Sequence, residues 1–317
     1  MSPREVTGSE GRTRSAETKE LSSGSAPAAG YRPSPRPTFD HPAVIPKSGT
    51  TRHIWGDEES GEILDDIYVS SNKIHQLLFE IPIGGQFTHS PSFRTVFGAD
   101  EVLYVVEGNV VFADPETGEV VRVGTGESLF FRPGTWHHAF NWAGYPARVL
   151  EFFAPPPVTG TSGAYAQLRP LLEDRRYRDS SVLANQIPGT PQRRVPRRLV
   201  VVRESEYWWQ LDGTSGVVLS GIIASTPHLT VARSEVRGHR WSGWLAHGGD
   251  SSGYVLSGVL VLRVSGGSDR GWHELTPGDG FFIPEGSQYQ VRNGTSRNAV
   301  YLAGAAPSYS AEQCSPA

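Results

Sequence analysis

Apolar positions divide the chain into a head without pattern and a long body of short apolar runs. Residues 1–40 are mostly Ser, Gly, Pro, Arg and Glu, a composition that cannot bury enough surface to offset the entropy of ordering. From His53 onward, runs rich in Val, Ile, Leu and Phe alternate with turn residues. IHQLLFEIPI ends at Gly84-Gly85, and EVLYVVEG leads into NVVFADPETGEVVRV, which turns at Asp114 to Gly118. ESLFFRPG, HHAFNW and ARVLEFFAP follow at regular spacing. Such spacing without helical periodicity predicts an all-β sandwich or barrel. Residues 164–178 are the exception: Tyr165, Leu168, Leu171 and Leu172 fall on one face, which predicts a short helix limited by Pro170. Strand-like runs resume at Leu199 and continue to Gly304.

The second half repeats the first. Gly108 and Gly258 each close a YVxxG phrase, and at that offset Glu101 faces Ser251 and His89 faces His239. Beyond the hairpin the offset grows by two, aligning Gly126 with Gly278, Gly134 with Gly286, Asn141 with Asn293 and His137 with Tyr289. A length change within a hairpin is what surface loops tolerate. The expected organisation is a disordered tail over 1–45, a barrel over 50–155, a linker with a short helix over 156–198, a second barrel over 199–304 and a tail over 305–317.

Composition narrows the function. A net charge of −4 with no basic stripe argues against nucleic acid and anionic membrane as partners. The single cysteine, Cys314, excludes an intrachain disulfide framework or cysteine-based metal site. No apolar run is long enough to span a membrane and the head lacks a secretory apolar core, so the expectation is a soluble cytoplasmic protein. The RRVPRR stretch at 193–198 reads as solvated linker, and Trp208, Trp209, Trp241 and Trp244 are expected to pack the second barrel or its interface.

The spacing Glu101-(X)6-Gly108, followed by Gly126, Gly134, His137 and Asn141, resembles the two motifs of the cupin superfamily over roughly residues 53–304. Both copies together resemble a bicupin, degenerate in the second. The resemblance implies two tandem jelly-roll (double-stranded β-helix) barrels, with homodimerisation through them as one outcome, and a small-molecule substrate. It departs from the family at the HXH pair before Glu101, where Arg94, Thr95, Val96 and Phe97 stand, and Arg132 replaces the usual Pro. His89 then serves as a ligand only through a longer loop.

The resemblance implies a metal held by His89, Glu101 and His137, of which Glu101 and His137 are also the catalytic candidates. His138 points to the opposite face of its strand, as a supporting residue or alternative ligand. Arg94, Tyr104, Phe131 and Phe140 are candidates to line a substrate pocket. Two imidazoles and a carboxylate with open positions suit a non-haem-iron oxygenase, with Fe(II) favoured over Zn, Mn or Ni. The alternatives are a metal-dependent lyase, isomerase or decarboxylase, and a non-catalytic small-molecule binder.

Overall fold

The apolar runs form strands. The computed structural model describes residues 35–155, 166–179, 197–212, 216–265, 271–307 and 309. Among them are two seven-stranded sheets, two four-stranded sheets and one two-stranded pair. The first large sheet runs Leu199–Val202, Ser128–Phe131, Asp100–Glu107, Ala147–Ala154, His75–Ile81, Ile63–Ser70 and Thr51–Trp55. The second repeats it as Ala43–Ile45, Gly280–Ile283, Asp250–Ser257, Ala299–Ala306, Thr230–Val236, Val218–Ser225 and Trp208–Asp212. Each faces a four-stranded sheet, and together they enclose a barrel.

Both faces of the large sheets are apolar, which is why their strands read as continuous runs. In the first, Leu103, Val105, Leu129 and Val149 point into the barrel. Val102, Tyr104, Leu150 and Phe152 point out, into a core shared with Tyr207, Val231, Tyr254 and Leu302 of the second. The two barrels therefore pack back to back through their large sheets. The repeated Gly108 and Gly258 both have positive φ and lie against Ala147 and Ala299 respectively, so a side chain would meet strain and crowding at each.

One strand of each sheet comes from the other half of the chain. Ala43–Ile45 pairs with Gly280–Ile283 in the second barrel, and Leu199–Val202 pairs with Ser128–Phe131 in the first. Val44 contributes to the second interior, and Leu199 and Val201 to the first. The boundaries drawn at 45 and 199 cut through this exchange. Residues 1–34 of the expected head, most of the expected linker, Cys314 and most of the expected tail lie outside the described residues.

The helix expected at 164–178 does not form among the described residues. Ala166–Leu168 is a strand, paired antiparallel with Thr95–Phe97, and residues 169–178 are irregular. Pro170 denies the segment a helical turn's donor, while an open strand edge offers its backbone partners. The tryptophans expected to pack the second barrel are instead exposed, Trp208 by 78% and Trp241 by 61%. Arg292 lies over Trp241, and Arg263 over Trp244 and Trp272, covering part of the indoles on the outer face.

The two interiors compensate volume. Where the first barrel pairs Leu103 with Leu129, the second pairs Gly253 with Phe281. A Cβ at Gly253 would overlap the Phe281 ring. Gly253→Ala should cost about 1–3 kcal/mol, the usual range for overpacking, read as a lower urea midpoint at unchanged slope.

Candidate functional site

Backbone pairing determines which side chains meet inside the first barrel. Glu101 stands opposite Phe131 and Phe153, and Phe153 opposite His75, which faces Ser70. Two residues deeper, Glu151 lies between Leu103 and Leu77. Deeper again, Asp65 lies between Phe79 and His53. Residues opposite one another share a face, so Glu101, Glu151, His75 and Asp65 all project inward. They line a cavity of about 130 Å³ together with His89, His137, Thr95 and Arg36. Trp55, Ile63, Leu77, Phe79, Phe87, Phe97 and Phe153 make the rest of its wall apolar.

Glu101 and His137 converge, with Oε1 and Nε2 3.4 Å apart. Phe131 stacks on the His137 ring at 4.2 Å, and Phe87 meets it edge-on at 5.8 Å. The Nδ1 of His137 lies 3.4 Å from the Thr135 carbonyl, which can only accept. With the proton on Nδ1, the Nε2 lone pair faces the Glu101 carboxylate, an arrangement completed by a second proton or by a cation. Two ligands each about 2.1 Å from one tetrahedral ion stand about 3.4 Å apart, so this pair fits two positions of a divalent metal site.

His89 does not join them. Its Nε2 is 3.2 Å from the Thr95 carbonyl and its Nδ1 is 2.8 Å from Nε2 of His138. Among the described residues no group of three or more His, Cys, Asp or Glu side chains is arranged to hold a metal ion. The expected set is thus represented by a converging pair and a third residue on the same cavity wall, turned elsewhere. His138 lies on the outer face, as strand alternation predicts, and is tied to Tyr177 at 2.9 Å.

Burial pushes the carboxyl of Glu101 up, against the opposing pull of His137 and of a hydrogen bond from Glu151. Glu151 is pushed well above its ordinary value, by burial first and then by the charges of Glu101 and Asp65. It therefore holds a proton and donates it toward Glu101. Burial likewise raises Asp65, which sits 3.2 Å from His53. His75, bonded to Ser70 at 2.8 Å, is lowered to about 3 and His89 to about 2, both chiefly by burial, so both are neutral imidazoles.

None of the four residues expected to line a pocket is part of the lining of this cavity. Tyr104 alternates with the inward Leu103 and Val105 and so faces the other barrel. Phe140 alternates with the buried Ala139 and packs outside against Tyr177. Arg94 reaches the Arg169 carbonyl, and Phe131 supports His137 from within the core. His75, Glu151 and Asp65 were not among the candidates, because each sits inside or beside an apolar run that looks like plain core.

The second barrel has lost this chemistry position by position. Ser251 replaces Glu101, Ala303 replaces Glu151, Thr230 replaces His75 and Ser220 replaces Asp65. Tyr289 replaces His137, and its hydroxyl is 2.9 Å from His247. Tyr289, Tyr301 and Phe281 fill the interior. His239 is not the counterpart of His89: Trp241 pairs with Arg292 as Gln86 pairs with Phe140, which displaces the alignment on that strand.

A cupin domain model matches residues 97–153 and again 233–304. A comparison with curated proteins returned no match. Among solved structures, a putative glyoxylate-induced protein from Pseudomonas aeruginosa is similar at 18% identity and a TM-score of 0.57, covering 90% of this chain and 96% of its own. Protein Ylba from E. coli is similar at 15% identity and a TM-score of 0.55, with coverages of 84% and 90%. A variant of Bacillus subtilis oxalate decarboxylase is similar at 16% identity and a TM-score of 0.56, with coverages of 85% and 78%. No helix among the described residues is long and apolar enough to cross a membrane. With a cupin domain matched in each half and the likeness in fold running along the chain, the protein has the fold of a two-domain cupin.

Proposed function

We propose that the chain is an enzyme of small-molecule metabolism whose reactive centre is the cavity of the first barrel. The observation that carries this reading is the contrast between barrels: one interior holds Glu101, Glu151, His75, Asp65 and His137, and the other holds neutral residues at the same positions. Buried ionisable groups are costly, so their retention around one cavity points to chemistry there. The apolar wall favours a small substrate with a largely apolar body.

The reaction that suits these residues is non-oxidative proton transfer, as in an isomerase, lyase or decarboxylase. Glu101 in its charged form accepts a proton from substrate, and Glu151, already protonated, returns one. The stacked Phe131 keeps the His137 ring beside Glu101. Apolar walls exclude water and strengthen each charge–charge contact inside. A divalent ion, when bound by Glu101 and His137, supplies a Lewis acid at the same place. The iron-oxygenase reading calls for a third ligand, and both ring nitrogens of His89 are engaged by protein atoms.

The test is deuterium incorporation from D₂O into a panel of small ketones and hydroxy acids, followed by NMR without oxygen. The protein would be supplied with Zn²⁺, Mn²⁺ or Fe²⁺ in turn. Exchange should proceed anaerobically, and Glu101→Gln and Glu151→Gln should each slow it by about 10²–10⁴-fold, the usual worth of a positioned acid or base. Turnover that appears only with Fe²⁺ and O₂ would replace this reading with the oxygenase one.

A further inference from the structure

Three side chains outside the proposed acid–base group form a single hydrogen-bonded line. It runs from Tyr177 at the surface through His138 and His89 to the Thr95 carbonyl, with successive separations of 2.9, 2.8 and 3.2 Å. Its direction follows from its inner end. A carbonyl oxygen only accepts, so Nε2 of His89 carries a proton. In a neutral imidazole Nδ1 then offers a lone pair, which accepts from Nε2–H of His138. The remaining nitrogen of His138 in turn accepts from the Tyr177 hydroxyl. Every donor and acceptor is matched with both rings neutral.

The line joins two layers of wall. Thr95 and Phe97 line the cavity, and their strand, Thr95–Phe97, is paired along its edge with Ala166–Leu168. The chain beyond that strand crosses the barrel exterior. Arg169 Nη1 reaches the Gly134 carbonyl at 3.4 Å, and Arg175 Nη2 donates to the His89 carbonyl at 2.7 Å. Tyr177 packs its ring against Phe140 at 5.4 Å while its hydroxyl ends the line.

We infer that Tyr177 and His138 are positioning residues: they lock His89 and, through it, the 89–97 wall of the cavity, and this leaves His89 no free nitrogen for a metal. A metal on Nε2 would displace the proton given to Thr95, and one on Nδ1 would displace His138. The line holds His89 as wall, apart from the Glu101–His137 pair, and it stands whether or not the proposed reaction is correct.

Two measurements on the full-length protein test this. In ¹⁵N-labelled protein, both His89 and His138 should show the Nε2–H tautomer, and adding Zn²⁺ should leave the His89 nitrogens unmoved. A His89 nitrogen shifted to a metal-bound position would overturn the inference. Tyr177→Phe keeps the ring contact and removes the hydroxyl that bonds His138, so amide exchange within residues 89–97 should rise roughly fivefold. Exchange there equal to wild type would also overturn it.

Discussion

Chains cut within residues 180–196 should give two halves that do not fold alone and that recover a cooperative transition when refolded together. The exchange of strands is the reason. The first half carries Ala43–Ile45, which completes the second barrel, and lacks Leu199–Val202, which completes its own. Each isolated half would expose an unpaired strand edge and the interior vacated by Val44 or by Leu199 and Val201. It would also uncover its side of the shared core between the large sheets, where Phe152, Tyr68, Tyr254 and Leu302 meet. Each buried aliphatic or aromatic side chain is worth about 1.5–3 kcal/mol, against a net stability of about 5–15 kcal/mol for a domain, so losing several removes the margin. Circular dichroism and thermal melts of each half, then of the mixture, decide the matter. A cooperative melt from either half alone would refute the interdependence.

The barrels, their duplication and the Glu101–His137 meeting were legible because they depend on local spacing. Gly108 and Gly126 place turns at fixed distances from Glu101 and His137, and a turn sets what the next strand presents. Alternation alone placed His138 outside. Glu151 was missed although it obeys the same alternation, since Leu150 and Phe152 face the other barrel and make ARVLEFFA look uniformly buried. A strand buried on both faces hides its inward set from a sequence pattern. The alignment of His89 with His239 failed for a different reason. Register on the short strand Gln86–Phe87 comes from its pairing with His138–Asn141 and not from its distance to Gly108. The apolar spacing at 164–178 is real, but the backbone of Ala166–Leu168 pairs with the nearby strand Thr95–Phe97 instead. Strand exchange between halves leaves no sequence mark at all, because Ala43–Ile45 and Leu199–Val202 would suit either barrel.

Between pH 6.5 and 5, replacing Glu151 with Gln should steepen the loss of stability on acidification, because the folded wild-type chain keeps a proton there that the unfolded chain releases. Burial lowers His75 to about 3, His89 to about 2 and His138 to about 3. Once unfolded, each would titrate near its ordinary 6.5. A depressed folded value contributes stability that is complete above the unfolded value and drains away as pH falls toward the folded one, so these three act together below 6.5. Glu151 acts in the opposite sense. Its raised value means the folded chain keeps a proton that the unfolded chain has released, and the raised carboxyls of Glu101 and Asp65 act in the same direction as Glu151. Glu151→Gln fixes that position in its neutral form. The variant should therefore be more stable than wild type at pH 7 and should lose stability more steeply on acidification, by at most about 1.4 kcal/mol more per pH unit. Urea midpoints at pH 7, 6 and 5 for both proteins measure the two slopes. Parallel lines would show that Glu151 ionises like an ordinary carboxylate.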